Sequence, residues 1–289
     1  MTRTAVTRSS RRRSDEDLRR MAWRVRRHAL DMVAKEGFGY LGQALSSAEI
    51  AAVLYGDALD PDVDRLVLSP GHYAITHYAA CAEIGLLDEA ELATYGDDGG
   101  RLEAIGTERT PGLAATCGSL GQGLSVAAGI ALAQRLQATG RRTYAFLSDG
   151  EMEEGQVWEA ALFAAHHGLS GLTVVLDRNN SQVDGATESV TTLEPVPDKW
   201  RAFGWAVVAV DGHDVAALRA AVEEVRADPR PGIVIASTWT LSGLADVIPD
   251  EADGHFLKVS ADQVDRARVL LDEAERTAAP VRTVGVKGE

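Results

Sequence analysis

Two polar side chains in the middle of the chain follow neighbouring apolar segments, and both are of types that bind a hard cation. Asp149 comes after the apolar run 143–147, and Asn179 comes after a second apolar run, 172–176. The segment between the runs, 155–167, has apolar residues at helical spacing. Strand, helix and strand of this length predict a βαβ unit, whose two strands are parallel. The two side chains are therefore expected side by side at the carboxyl edge of a sheet.

A carboxylate and a carboxamide at such an edge suit Mg²⁺. This ion prefers oxygen ligands in octahedral geometry and commonly shares them with the phosphates of a bound molecule. Gly150, next to the carboxylate, lets backbone come close to a phosphate, and the following helix points its N-terminal amides at the same place. The residues alone thus predict a metal–diphosphate site built on Asp149 and Asn179.

The longer stretch around these residues resembles a known family. An Asp-Gly pair alone would indicate only a turn. Here Asp-Gly follows a predicted strand, and an Asn comes thirty positions after the Asp, which resembles the thiamine diphosphate motif. The extended match, DGEMEEGQVWEAALFAAHHGL followed by DRNNSQVDG, is similar to the N-terminal part of transketolase, although Ser148 stands where the family usually has Gly. The resemblance covers about residues 30–275 and implies thiamine diphosphate and Mg²⁺ as cofactors.

The resemblance also implies site residues. The implied metal ligands are Asp149, Asn179 and the backbone carbonyl of Ser181. The implied cofactor contacts are His72, Gly118, Ser119, Leu120, Gly150, Glu151, Asn179, Val183 and His255. Catalytic roles are implied for His72 and His255 near the diphosphate, and for Glu154 on a proton path near the aminopyrimidine. Alternatives remain, because His72 could simply begin a helix and a first-turn Glu is favoured by the helix dipole.

The sequence departs from the family pattern where that family contacts sugars. Tyr40 stands where the family has a His, and unlike His it cannot take up a proton near neutral pH. The second sugar-contacting His is absent, with Ala104 or Ile105 at its place, and Ala114 replaces a common Glu. The loop before His255 lacks the family's lysines. These departures leave two acceptor classes open: a sugar phosphate, or a carrier-bound thiol or lipoyl group.

The resemblance ends where a full-length transketolase begins its pyrimidine-binding domain. It therefore implies a two-subunit enzyme transferring a two-carbon ketol unit, in which this chain binds the cofactor. The expected partner is a C-terminal transketolase-like subunit that carries the pyrimidine-binding domain, in an α2β2 assembly, with an acyl-carrier or lipoyl domain as a further candidate partner. One alternative is a subunit of a 2-oxo acid decarboxylase or dehydrogenase first component. A non-catalytic cofactor-binding subunit is the other.

Composition sets limits on the class of protein. With 289 residues, 45% of them apolar, the chain can bury a large α/β core. Ten arginines against three acidic residues give residues 1–28 a formal charge of +7, which leaves −21 on the remainder. The acidic body argues against nucleic-acid binding, and no apolar run suits a membrane span or a signal peptide. Two cysteines without metal or disulfide spacing are expected as buried free thiols in the cytoplasm.

We predict one α/β domain with the thiamine diphosphate-binding fold, a mostly parallel sheet with helices on both faces. Residues 29–275 form this domain, between a basic, partly disordered tail at 1–28 and a C-terminal tail at 276–289. The tail runs into a first helix at 17–35, with a transit-like or polyanion-binding arm as its alternative role.

Some local elements are also predicted. Ser46 and Glu49 have the spacing of a capping box, which predicts a helix reaching Leu54. A strand is expected at 64–68, a helix at 78–87 and a further helix at 261–276.

Overall fold

The computed structural model describes residues 13–248 and 254–281. The strands are β1 (Phe38–Gly39), β2 (Arg65–Leu68), β3 (Thr143–Ser148), β4 (Leu172–Arg178), β5 (Ala206–Asp211), β6 (Gly232–Ser237) and β7 (Leu257–Lys258). The helices are α1 (Asp15–Glu36), α2 (Leu41–Ser46), α3 (Ala48–Val53), α4 (Ala74–Glu83), α5 (Gly123–Leu136), α6 (Gly155–His166), α7 (Thr187–Val190), α8 (Val196–Ala202), α9 (Val215–Ala227) and α10 (Ala261–Thr277).

The main sheet has five strands in the order β2-β3-β4-β6-β5, and every pairing in it is parallel. The predicted βαβ unit is confirmed as β3, α6 and β4, with Ser148 opposite Asp177 in the register. All the carboxyl ends therefore meet at one edge of the sheet, where loops bind ligands in this class of fold. A separate antiparallel pair is formed by β1 and β7 and joins residues 38–39 to 257–258. Tyr40, next to β1, therefore lies close to His255, just before β7.

Helices cover both faces of the sheet, as predicted. Alternate residues of each central strand point to opposite faces, as the two-residue period of a strand requires. In β3, Tyr144 and Phe146 join the apolar cluster formed with α1, α3, α4, α9 and α10, whereas Ala145 and Leu147 join the cluster formed with α5 and α6. Both faces of the sheet are thus dry, which explains why its strands read as continuous apolar runs.

The first helix corrects the predicted N-terminal boundary. Residues 15–28 belong to α1, which Ser14 begins with a capping box to Asp17, and whose Leu18, Met21 and Val25 are fully buried. A disordered tail reaching residue 28 is therefore wrong for this part, although the predicted helix at 17–35 is confirmed. The arginines misled the prediction, because most of them lie on the partly exposed side of an amphipathic helix whose other side is core, and Arg26 is itself fully buried. Residues 1–12 lie outside the described residues.

The capping box predicted at Ser46 and Glu49 is wrong. Ser46 is the last residue of α2, and its hydroxyl donates to Asp177 Oδ2 at 2.6 Å. Glu49 is buried and accepts two hydrogen bonds from Arg26, at 2.6 and 2.7 Å, and contacts His213 Nδ1 at 2.9 Å. Both side chains therefore serve long-range contacts, which sequence spacing alone does not reveal.

The remaining element predictions are confirmed with small shifts. The strand expected at 64–68 is β2 and the helix expected at 261–276 is α10, whereas the helix expected at 78–87 begins and ends four residues earlier, as α4. The predicted C-terminal tail is helical to Thr277, and residues 282–289 lie outside the described part. Both cysteines are buried and free, as expected. In the ranges that the structure describes, none of the helices is long and apolar enough to cross a bilayer.

Candidate functional site

The Asp149 carboxylate lies at the carboxyl end of β3, fully buried, and its partners come from the end of β4. Its Oδ2 accepts a hydrogen bond from the backbone N–H of Asn180 at 2.6 Å and one from Arg178 Nη1 at 2.8 Å, while Oδ1 accepts from Gly150 N–H at 2.8 Å. Burial raises the pKa of Asp149 to about 6, and the Arg178 guanidinium opposes that rise. A buried carboxylate of this kind gains stability from a cation placed against it.

Asn179 lies close to Asp149, because residues on both sides of it in the chain contact Asp149: the Asp177 carbonyl accepts from Asp149 N–H at 3.2 Å, and Asn180 N–H donates as described. The Asn179 Nδ2 group donates to Tyr73 OH and to Asp177 Oδ2, both at 3.0 Å. These bonds fix the carboxamide so that Oδ1 faces Ser181, whose N–H it accepts at 3.0 Å. The structure thus places the turn that holds the predicted ligands Asn179 and Ser181 next to Asp149.

Hydroxyl groups from three other segments donate hydrogen bonds to Asp177, two residues before Asn179. Asp177, also buried, accepts hydrogen bonds from Ser46 of α2 at 2.6 Å, from Tyr73 OH at 2.8 Å and from Thr238 after β6. Burial raises the pKa of Asp177, and these donors oppose the rise. Asn180 takes a left-handed backbone conformation, with φ of 54°, which is uncommon outside glycine and often found at functional sites. The turn that carries the ligands is therefore held rigidly by three neighbouring segments.

A second buried carboxylate, Glu151, connects the carboxyl edge of the sheet to the loop before α5, which is predicted to line the cofactor. Its Oε1 accepts from Gly121 N–H at 2.9 Å and from the Ser69 hydroxyl at the end of β2. Gly121 has φ of 82°, and a Cβ there would lie 2.6 Å from Glu154 Cβ, so the close approach requires glycine. Burial raises the pKa of Glu151 to about 7, against the Ser69 and Gly121 hydrogen bonds. Its Oε2 has no hydrogen-bond partner among the described residues.

We expect Glu151→Gln to remove a pH dependence of stability in the cofactor-free protein. Since the folded pKa lies above the usual 4.5, the folded state holds the proton more tightly, and this stabilisation is lost as pH rises through about 7. The variant should gain about 2 kcal/mol relative to wild type between about pH 5.5 and about pH 8. Urea unfolding at both pH values checks this, with the exposed Glu159→Gln on α6 as control. Parallel pH profiles for wild type and Glu151→Gln would contradict the expectation.

The two predicted histidines and Tyr40 form a cluster of three rings. The ring centroid of His72 lies 5.3 Å from that of His255 and 5.1 Å from that of Tyr40, and Tyr40 lies 5.8 Å from His255. His255 Nδ1 also contacts the Gln43 amide at 2.8 Å. Burial, with a smaller effect from His255, lowers the pKa of His72 to about 3, so that His72 is neutral at physiological pH. It can therefore donate one hydrogen bond without carrying charge.

Backbone contacts bring His255 into this cluster. The β1–β7 pair joins the segment before Tyr40 to the segment after His255. A Cβ at Gly42 would lie only 1.6 Å from the Gly254 carbonyl oxygen, so the two chain segments touch without room for any other residue. The divergent loop before His255 includes residues 249–253, which lie outside the described part.

The remaining predicted residues surround this edge at its exposed side. Gly118, Ser119 and Leu120 are exposed residues of the loop that leads into α5. Glu154 is exposed at the N-terminus of α6, beside Gly121. Val183 is 73% exposed at the tip of the turn that follows the ligands.

Sequence reasoning missed several residues that hold the site in place. They are Gln43, Ser46, Tyr73, Asp177, Arg178 and Thr238. Asp177 and Arg178 lie within the predicted motif itself, at the end of β4, so their position was a usable signal. The hydroxyl donors gave none, since Ser46 and Tyr73 reach the site from other parts of the chain.

The donor set fits a small divalent cation. Asp149 is a buried carboxylate, and the other predicted ligand atoms, Asn179 Oδ1 and the Ser181 carbonyl oxygen, are neutral oxygens, the ligand type that Mg²⁺ prefers. A single anionic ligand would leave charge on the cation for a diphosphate, and residues 118–120, which are predicted to line the cofactor, are exposed. In the described residues, no group of three His, Cys, Asp or Glu side chains is placed to hold a metal.

Comparison with known proteins shows the family to which the chain belongs. The family model for the transketolase thiamine diphosphate-binding domain matches residues 18–276. The chain is 40% identical to SqwG, a 6-deoxy-6-sulfo-D-fructose transketolase subunit of Clostridium sp. (strain MSTE9), over 77% of this chain and 84% of that protein. It is 32% identical to an apulose-4-phosphate transketolase subunit of Actinobacillus succinogenes, over 90% of this chain and 98% of that protein.

Solved transketolases have the same fold. The Pichia stipitis enzyme in complex with sedoheptulose 7-phosphate superposes with a TM-score of 0.73 at 25% identity, over 92% of this chain. The Leishmania mexicana enzyme superposes with a TM-score of 0.71 at 26% identity, over 93% of this chain. The chain spans 45% and 46% of the lengths of these two proteins. It belongs to the transketolase family and corresponds to the N-terminal, thiamine diphosphate-binding domain of those enzymes.

Proposed function

We propose that this chain is the thiamine diphosphate- and Mg²⁺-binding subunit of a two-subunit, transketolase-like enzyme that transfers a two-carbon ketol unit. The observation that carries the proposal is that the turn after β4, which holds Asn179 and Ser181, is hydrogen-bonded to Asp149 at the carboxyl end of β3. Family membership supports the coenzyme. The chemistry of the oxygen donors supports the cation.

In this proposal Asp149, Asn179 Oδ1 and the Ser181 carbonyl hold Mg²⁺. The diphosphate lies against the backbone of Gly118, Ser119, Leu120, Gly150 and Glu151, with His72 and His255 beside it and Val183 against the coenzyme rings. Bound thiamine diphosphate would supply an electron sink for the two-carbon unit. Each of the chain's own groups then has a defined task, which is to bind or orient the coenzyme or to hold a proton.

The two histidines act differently from charged residues in this proposal. A neutral His72 donates one N–H to a phosphate oxygen, and its low pKa keeps it from drawing a proton away. The Gln43 amide orients His255 through Nδ1, which directs the Nε2 edge of that ring away from Gln43. Glu154, exposed beside Gly121, is assigned to the proton path near the aminopyrimidine.

The partner in this proposal is a C-terminal transketolase-like subunit that carries the pyrimidine-binding domain, in an α2β2 assembly. Two relatives named as transketolase subunits match this chain over most of their own length, whereas the solved transketolases are about twice as long. Three apolar side chains near the edge are exposed: Leu120 at 37%, Val183 at 73% and Phe256 at 39%. Burial of such side chains against a partner would stabilise the assembly.

The names of two relatives indicate the class of donor substrate that we propose. The two subunit relatives are named for a sulfonated ketose and for a ketose phosphate, so we propose a ketose as the donor. Tyr40 presents a phenol beside His72 and His255. The acceptor is a sugar phosphate or a carrier-bound thiol or lipoyl group, and assays with each acceptor type distinguish the two.

We expect the purified chain with thiamine diphosphate and Mg²⁺ to show no ketol transfer, and the chain mixed with its C-terminal partner to show turnover. The physical reason is that the pyrimidine-binding domain is assigned to the partner, so the chain alone has an incomplete site. Product formation from a ketose donor, measured with and without the partner, checks this. Full turnover by the chain alone would contradict the two-subunit proposal, and coenzyme binding without turnover in the complex would favour a non-catalytic role.

A further inference from the structure

The Arg178 side chain contacts the carboxylate on which the proposed cation site depends. Its Nη1 donates to Asp149 Oδ2 at 2.8 Å, and its Nη2 donates to Glu188 Oε1 at 2.6 Å and to Glu194 Oε1 at 3.3 Å. The guanidinium is only 10% exposed, so water screens these charges poorly. The Arg178 guanidinium thus pairs both with Asp149, the proposed metal ligand, and with the acidic turn that holds Glu188 and Glu194.

This position is incompatible with a divalent cation that binds the same carboxylate. Asp149 Oδ2 already accepts the Asn180 N–H at 2.6 Å in addition to Arg178. A second positive charge on this carboxylate would repel the guanidinium in a buried, weakly screened environment. Cation binding and the Arg178–Asp149 ion pair therefore compete.

The acidic turn offers Arg178 an alternative position that is already built. Both carboxylate oxygens of Glu188 accept from Leu193 N–H, at 3.1 and 3.3 Å, and Glu188 N–H donates to Asn180 Oδ1 at 3.3 Å. Glu194 Oε2 accepts from Val196 N–H at 2.8 Å. Because backbone groups fix both glutamates, they keep their places when the guanidinium leaves Asp149. No rearrangement of the fold is required.

We propose that Arg178 is the built-in counter-cation of the metal carboxylate. It neutralises Asp149 while no divalent cation is bound, and it pairs with Glu188 and Glu194 alone when the cation arrives. Arg178 thereby stabilises the cation-free site and lowers its affinity for the cation, while Glu188 raises that affinity by accepting the displaced guanidinium. This inference rests on the proposed function, since it concerns the same cation site.

Two variants with opposite expected effects test the proposal. The probe is Mn²⁺, whose binding to the full chain with thiamine diphosphate is followed through the free-ion EPR signal, with a blank that holds the coenzyme alone. Arg178→Gln should bind Mn²⁺ about tenfold more tightly than wild type and should unfold at lower urea concentration without cation. Glu188→Gln should bind Mn²⁺ more weakly, because it leaves Arg178 with fewer partners away from Asp149.

Arg24→Gln is the matched control. Arg24 also pairs with two carboxylates, Glu83 and Glu275, but on the α1 surface away from the site. This variant should lower the urea midpoint with unchanged Mn²⁺ affinity. Mn²⁺ binding by Arg178→Gln that is equal to or weaker than that of wild type would overturn the counter-cation role alone. Failure of both the wild type and Arg178→Gln to bind Mn²⁺ would overturn the proposed cation site, and the counter-cation role with it.

Discussion

Asp149→Ala is expected to weaken Mg²⁺-dependent binding of thiamine diphosphate by more than about 100-fold, because it removes the one anionic ligand of the proposed set. Asn179 Oδ1 and the Ser181 carbonyl are neutral and cannot balance a divalent charge. The fold should persist, since Arg178 keeps its ion pairs with Glu188 and Glu194. Calorimetry of thiamine diphosphate with Mg²⁺, on wild type and variant, measures the effect, and circular dichroism checks the fold.

Asp184→Ala is the matched control for this experiment. Asp184 is an exposed carboxylate in the turn that follows the ligands, so its removal changes local charge without removing a proposed ligand. Its affinity for the coenzyme should stay within about threefold of wild type, in line with the small effects of exposed charges. Equal losses in the two variants would mean that the general negative charge of this region, and not ligation by Asp149, supports binding.

Glu49→Ala is expected to cause the largest loss of folding stability, about 3–5 kcal/mol. Arg26 is fully buried and has Glu49 as its carboxylate partner, at 2.6 and 2.7 Å. The variant leaves the guanidinium with the carbonyl oxygens of Leu45 and Ser242, which carry no full charge. Urea unfolding at neutral pH measures the change.

The expected loss has a defined pH range and a control. Burial acts to raise the pKa of Glu49, but Arg26 and His213 hold it at about 2, below its usual 4.5. The stabilisation is therefore complete above about pH 4.5 and is lost as pH falls through about 2. Asp228→Ala breaks the more exposed ion pair with Arg230 and should cost less than about 1 kcal/mol. A loss no larger in Glu49→Ala than in this control would contradict the assignment of a buried ion pair.

The Glu49 network also supports the segment that leads to His255. His213 Nδ1 contacts Glu49 Oε2, and its Nε2 contacts the Ser242 hydroxyl at 2.7 Å and accepts from Trp239 N–H at 3.2 Å. The chain after β6 is thus connected to α3 and α1 through one imidazole.

Sequence reasoning predicted the part of the fold that local periodicity specifies. The strands β3 and β4 are apolar runs of strand length, α6 has helical spacing between them, and their order requires a parallel crossover. The position of Asp149 next to Asn179 follows from that topology alone. The site's central geometry was predictable because it depends on backbone connectivity more than on side-chain packing.

The rest depended on contacts between distant segments. Glu49 has the spacing of a capping box but forms an ion pair with Arg26, and nothing local distinguishes the two roles. The arginines of the first helix suggested a solvated tail, whereas Leu18, Met21 and Arg26 itself are fully buried. Arg178 was visible in the motif, but its pairing with Asp149 appears only once the turn after β4 is folded.

The most direct test of the central claim is a crystal structure of the chain with thiamine diphosphate and Mg²⁺ bound. We expect Mg²⁺ within about 2.1 Å of a carboxylate oxygen of Asp149, Asn179 Oδ1 and the Ser181 carbonyl oxygen. We also expect the diphosphate against the backbone of residues 118–120 and the Arg178 guanidinium withdrawn from Asp149. A coenzyme bound elsewhere, or a cation held without Asp149 and Asn179, would contradict the proposed site.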